Sequence, residues 1–133
     1  MISRVNHIGI AVRSLQERVP LYRALGLEPS GGEEISSEMV RVTFFPVGET
    51  RIELLEPTAA ESPIAKFIAA RGEGLHHICF EVEDIRAAMA ELSAQGFGLL
   101  SEEPNSGAHG TRVCFIHPRS AAGVLIELCE VRE

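Results

Sequence analysis

Four residues have the chemistry to hold a divalent cation together: His7, Glu53, His77 and Glu127. Two neutral imidazoles and two carboxylates cancel the charge of such an ion and leave coordination positions open for water or a substrate. They form two pairs at similar spacing, 53 − 7 = 46 and 127 − 77 = 50 residues. Glu53 and Glu127 each stand among apolar neighbours, in Arg51-Ile52-Glu53-Leu54 and Leu125-Ile126-Glu127-Leu128. A carboxylate buried there is costly unless something compensates its charge, and a cation does so. Alone, either histidine reads as a hydrogen-bonded core residue and either glutamate as the solvent face of an edge strand. Four matching residues at equivalent places read as a metal site.

The equivalence comes from an internal repeat. Val5-Asn6-His7-Ile8-Gly9-Ile10-Ala11-Val12 matches Leu75-His76-His77-Ile78-Cys79-Phe80-Glu81-Val82, and Ile52-Glu53-Leu54-Leu55-Glu56 matches Ile126-Glu127-Leu128-Cys129-Glu130. Each copy reads as strand, helix and three strands, so the expected fold is α+β: two βαβββ units packed as a pseudo-symmetric pair. One domain over 1–133 is expected, with repeat one at about 1–57, a linker and short helix over 58–72, and repeat two at about 73–133.

Strands are expected over Val5 to Val12, Met39 to Val47, Thr50 to Glu56, Leu75 to Val82, Gly98 to Glu102, Arg112 to Ile116 and Val124 to Val131. A helix capped by Ser14 presents Leu15, Val19, Tyr22 and Leu25 on one face, with Pro20 expected to kink it or delay its start. Ser62-Pro63 opens a second helix that ends at Arg71-Gly72. Asp84 caps a third, with Ile85, Met89 and Leu92 on one face. Strand alternation puts His7, Gly9 and Ala11 opposite Ile8, Ile10 and Val12. The bulky face is therefore expected to carry the helices, leaving the histidine face for a cavity.

Other polar residues rank lower. His76 falls on the opposite face to His77, as a structural residue. Glu56 and Glu130 point away from the cavity and are expected to be solvated. His109, on the loop Ser106-Gly107-Ala108-His109-Gly110, either covers a ligand or is a plain loop histidine. Arg119, in the turn His117-Pro118-Arg119-Ser120, reads as a surface arginine. No Ser-His-Asp or Cys-His arrangement and no phosphate-cradling glycine loop stands out.

Composition narrows the partners. Hydrophobic residues are 45% and charged residues 23%, the balance of a globular chain, and the net charge is −7. An acidic surface repels phosphate backbones, which argues against nucleic acid. No apolar run approaches the roughly 20 residues of a membrane span. The N-terminus does not read as a signal peptide. Three cysteines, Cys79, Cys114 and Cys129, sit in apolar runs and read as reduced and buried, as in the cytoplasm.

This pattern resembles the vicinal oxygen chelate superfamily and, within it, the methylmalonyl-CoA epimerases. The likeness is carried by Asn6 to Val12, Glu53 to Pro57, Ser62 to Phe67, Gly72 to Ile78, Gly107 to Gly110, His117 to Ser120 and Gly123 to Leu128, nearly the whole chain. It implies a curved mixed sheet enclosing a metal cavity. His7, Glu53, His77 and Glu127 would ligate a divalent ion, Co2+ in assays, with Mn2+, Ni2+ or Zn2+ as other choices. It further implies interconversion of (2R)- and (2S)-methylmalonyl-CoA by removal and return of the C2 proton, with Glu127 as acid/base, His109 near the substrate, and a homodimer. The chain departs from the family at Arg41, where some members carry a glutamate, and Glu38 is the nearby carboxylate. A glyoxalase I-type lyase, acting on a glutathione hemithioacetal at the same kind of site, is the nearest rival. A metal-free binding protein of the same fold is the rival from another class.

Overall fold

The computed structural model describes residues 1–107 and 110–131. Its elements are β1 (Ile2–Ala11), α1 (Leu15–Ala24), β2 (Gly31–Ile35), β3 (Val40–Val47), β4 (Thr50–Pro57), α2 (Pro63–Arg71), β5 (Gly74–Val82), α3 (Ile85–Ala94), β6 (Asn105–Ser106), β7 (Arg112–Ile116) and β8 (Leu125–Glu130). The βαβββ order occurs twice, with α2 between the copies, and the α+β class holds. The chain divides into two compact units, one of His7–His76 and one of Met1–Asn6 with the chain from His77 on.

In the His7–His76 unit the strand order is β2-β3-β4-β1. β1 runs parallel to β4 with Gly9 opposite Glu53, and β3 runs antiparallel to β4 with Phe44 opposite Glu53. In the other unit the order is β5-β8-β7-β6. There β5 runs parallel to β8 with Cys79 opposite Glu127, and β7 runs antiparallel to β8 with Phe115 opposite Glu127. The two registers are the same. Because side chains alternate along a strand, a slip of one residue would turn either glutamate to the other face.

The helices begin where the sequence offers acceptors for unpaired N–H groups. Ser14 accepts from the N–H of Glu17 at 3.3 Å, Asp84 from Ala87 at 3.1 Å, and Ser62 from Ile64 at 3.2 Å, with Pro63 in the first turn. Gly26 and Gly96, at φ +92° and +86°, follow α1 and α3, where a side chain would be strained. α1 does not start late, contrary to one expectation: it runs from Leu15 to Ala24 with Pro20 inside it. Pro20 and Gln16 are both exposed, so water can serve the Gln16 carbonyl left without a donor. Leu25 is the C-cap of α1 and 67% exposed, so it does not join Leu15, Val19 and Tyr22 on the buried face.

Two strand assignments change. The Gly31–Ile35 stretch is an edge strand with almost no buried residue, which hydrophobic alternation could not reveal. The run Gly98 to Glu102 is not a strand. Leu99 makes one isolated bridge to Ile116, Ser101 Oγ donates to the Glu103 carbonyl at 2.8 Å, and the short edge strand lies at β6. Local side-chain bonds compete with the ladder there.

α1 packs on the bulky face of its unit, with Val12, Phe45 and Leu54 as the buried centre, and α3 does likewise with Val82, Cys114 and Leu128. The histidine face of β1 is not left wholly open. Ile64 and Ile68 of α2 pack against Ala11, Val40, Val42 and Leu55, which share the face of His7 and Glu53. α2 covers that face beyond Glu53, because Leu55 and Val42 are as apolar as a helix-bearing surface requires.

Candidate metal centre

In the His7–His76 unit, His7 and Glu53 are each 8% exposed, and His7 Nδ1 lies 3.6 Å from Glu53 Oε2. The parallel register puts Gly9 opposite Glu53, so no side chain stands between the imidazole and the carboxylate from that position. In the other unit His77 is also 8% exposed, and its Nε2 lies 3.6 Å from Glu127 Oε1. Each unit therefore repeats one imidazole–carboxylate pair on one pair of parallel strands.

A separation of 3.6 Å is longer than a good hydrogen bond. It is a few tenths of an ångström beyond the spacing of two donors to one ion, since ligands about 2.1 Å from a first-row metal stand about 3.0–3.4 Å apart at right or tetrahedral angles. The donor set of imidazole nitrogen and carboxylate oxygen fits a borderline divalent cation. Cys79, opposite Glu127 on the histidine face, is fully buried and packs with Cys129, Val113 and Phe115. All three cysteines are free and buried, as the sequence implies.

One contact escaped sequence reasoning. Arg51 Nε donates to Glu53 Oε2 at 2.8 Å, and the Arg51 guanidinium stands 5.7 Å from the centre of the Phe44 ring. Glu53 thus has a cationic neighbour in the protein itself, where the sequence argument left only a metal to compensate it. The signal was available: two residues apart on a strand, Arg51 and Glu53 must share a face.

Glu56 and Glu130 correct an expectation. They are half-buried rather than simply solvated, and each meets the first N–H of a helix. Glu56 accepts from Leu15 and is also paired with Arg41 at 2.9 Å, while Glu130 accepts from Ile85. Arg41 lies on the face opposite to Glu53, between Glu56 and Glu34. On the Glu53 face β3 carries Val40, Val42 and Phe44, so β3 supplies no carboxylate there. Glu38 is exposed, in a short 3-10 turn before β3. His76 stacks edge-on against Phe67 at 4.9 Å, the structural role expected of it. His117 caps the turn Pro118–Ala121 by accepting from the Arg119 N–H at 3.1 Å, and Arg119 is exposed. His109 lies outside the described residues.

A groove of about 450 Å³ beside α3 involves Met89, Leu99 and Leu100. Met89 and Leu99 belong to the apolar cluster on the helix-bearing face, opposite to His77, so this groove does not lie on the face of His77 and Glu127.

The sequence profile of the Glyoxalase/Bleomycin resistance protein/Dioxygenase superfamily matches residues 6–115. The chain is 44% identical to the ethylmalonyl-CoA/methylmalonyl-CoA epimerase of Cereibacter sphaeroides, over 98% of this chain and 100% of that one. Among solved structures, a hypothetical protein from Bacillus halodurans C-125 superposes with a TM-score of 0.92 at 47% identity, covering 98% of this chain and 95% of that one. A methylmalonyl-CoA epimerase in complex with methylmalonyl-CoA and NH4+ superposes with a TM-score of 0.87 at 36% identity, with the same coverage of 98% and 95%.

Proposed function

The chain belongs to the glyoxalase/bleomycin resistance protein/dioxygenase superfamily, and on that footing we propose that it interconverts (2R)- and (2S)-methylmalonyl-CoA by removing and returning the proton at C2. The observation that carries this reading is the twice-built pair, His7 with Glu53 and His77 with Glu127, each at 3.6 Å on the same strand register. Relatives that match along nearly the whole chain and bear epimerase names supply the substrate class.

In this proposal the two units act as one domain, and His7, Glu53, His77 and Glu127 together hold one divalent cation. When bound, that ion acts as a Lewis acid that stabilises negative charge developing on the thioester oxygen. Glu127 takes the C2 proton, and inversion requires that a proton come back to the opposite face of C2, from Glu127 itself if it reaches both faces or from a second acid. The buried setting of His7, Glu53 and His77 keeps the ligands fixed and limits water. The same proposal includes the homodimer implied by the family resemblance, read by sedimentation as twice the chain mass at micromolar concentration. It includes a cytoplasmic setting, consistent with three free buried thiols. No helix of the described residues is long and apolar enough to cross a membrane.

The glyoxalase I-type rival would use the same donor set, but the full-length relatives named here act, by name, on acyl-CoA thioesters. The Cereibacter relative's name adds ethylmalonyl-CoA as a second substrate to assay. Proton NMR of methylmalonyl-CoA in heavy water tests the proposal, with cobalt-loaded protein beside a chelated control. Metal-dependent loss of the C2 proton signal, faster than spontaneous exchange, is expected. No acceleration with one equivalent of metal bound would sink it.

A further inference from the structure

Arg51 is the place where the two repeats part. Its equivalent in the second copy is Leu125, since Ile52-Glu53 aligns with Ile126-Glu127. The fold therefore builds the same strand pair with or without a cation at this position. Arg51 lies opposite His7 in the parallel register and on the face of Glu53. Its Nε is taken by Glu53, and its guanidinium lies over Phe44, the cross-strand neighbour of Glu53. Its terminal nitrogens, Nη1 and Nη2, meet no acceptor among the described residues, and its side chain is 37% exposed. An arginine oriented by a carboxylate on one edge and an aromatic ring on its face has little freedom left to lose. It presents two unspent donors in the planar fork that fits a carboxylate.

From this placement we propose that Arg51 recognises the carboxylate of the substrate's malonyl arm. The inference rests on the epimerase reading, because it takes the ligand to be the CoA thioester of a dicarboxylic acid. The contact Arg51 makes with Glu53 holds the guanidinium in place, and the substrate's carboxylate takes the free edge. An acyl-CoA without that carboxylate gains nothing from Arg51. The residue thus sorts dicarboxylic from monocarboxylic thioesters before any proton moves.

The test is calorimetric binding of malonyl-CoA and of acetyl-CoA to metal-loaded wild type, Arg51→Leu and Arg51→Lys. The two ligands differ by the carboxylate, so the comparison isolates its coupling to residue 51. Arg51→Leu, the residue the second repeat itself uses, is expected to weaken malonyl-CoA at least about tenfold and acetyl-CoA less than about twofold. Arg51→Lys should fall between, keeping charge but losing the fork. Equal weakening of both ligands, or no weakening, overturns the proposal, as does a wild type that binds both alike. Circular dichroism and metal stoichiometry check the fold, and Arg51→Gln carries the same test if the leucine variant does not fold. Failure of wild type to exchange the C2 proton would instead sink the epimerase reading, a different result from a different assay.

Discussion

Glu130 accepts a hydrogen bond from the backbone N–H of Ile85 at 3.0 Å, fastening the last strand of its unit to the first turn of α3. Glu56 stands in the same relation to Leu15 of α1, at 3.4 Å. A helix begins with N–H groups that have no partner in the helix and with the positive end of its dipole, so a carboxylate there satisfies both. Glu130→Ala should cost about 1–2 kcal/mol of stability, since it leaves that donor short of a partner. Denaturant unfolding checks this, and metal uptake should be unchanged because Glu130 faces away from Glu127's side of the strand.

Metal binding should depend on both repeats. The wild type is expected to take up one equivalent of Co2+ or Zn2+ per chain, and His77→Ala or His7→Ala to lose stoichiometric uptake, read by elemental analysis after gel filtration. Bound metal stabilises by mass action, about 2.7 kcal/mol at a hundredfold excess over Kd. Chelation should therefore lower the melting temperature of the wild type and leave that of His77→Ala where it is.

Glu73 sets an acid-side limit on stability. The Arg18 guanidinium, 2.6 Å away, and then the Arg13 backbone N–H, at 2.7 Å, hold its carboxyl below the usual carboxylate range. A folded-state value that is depressed adds stability above the unfolded value, about 4.3, and that stability is lost as pH falls through the folded value. The group is near the surface, so the contribution at pH 7 is about 0.2–1 kcal/mol. Glu73→Gln should be less stable than wild type by that amount at pH 7, and the gap should close as pH falls through the depressed folded-state value. A gap that stays constant into acid would refute the linkage.

Met39 occupies the left-handed region, at φ 54°, where it ends the 3-10 turn before β3. That conformation costs an L residue about 1–2 kcal/mol, and glycine adopts it freely. Met39→Gly should raise stability by about 0.5 kcal/mol or more, after the extra backbone entropy glycine loses on folding is counted. Thermal unfolding decides it, and a destabilised variant would mean that the Met39 side chain packs better than its backbone suggests.

The thiols should be silent in the native protein. Burial first, and then the nearby Glu127 charge, push the Cys114 thiol up to about 11. A neutral buried thiol is a poor nucleophile. A thiol-specific reagent at pH 8 should titrate none of Cys79, Cys114 and Cys129 before denaturant is added, and all three afterwards.

Much of this was legible in the residues. β1 and β5 announced themselves as matching strands, and the pairs His7 with Glu53 and His77 with Glu127 followed from spacing and alternation. The three helix starts were readable because Ser14, Ser62 and Asp84 are good cap acceptors. What failed was whatever tertiary contact decides. β2 carries no alternation because it is an edge with little to bury. Glu56 and Glu130 looked solvated because nothing local says that a helix start lies beside a strand end. The bond from Arg51 to Glu53 was written in the alternation of β4 itself, where residues two apart share a face.

The shared register has a consequence for how this chain tolerates change in length. His-to-Glu spacing differs by four residues between the copies (50 − 46), yet Gly9 still faces Glu53 as Cys79 faces Glu127. Most of that surplus lies where β7 meets β8: Phe115 and Glu127, paired in register, are 127 − 115 = 12 residues apart, while Phe44 and Glu53 are 53 − 44 = 9. Between the two copies the connections differ in length, while the register of the strands that carry His7, Glu53, His77 and Glu127 does not. A few residues grafted into the 117–124 segment should leave the ligands in place, whereas deleting one residue inside β8 ahead of Glu127 would turn its carboxylate to the wrong side.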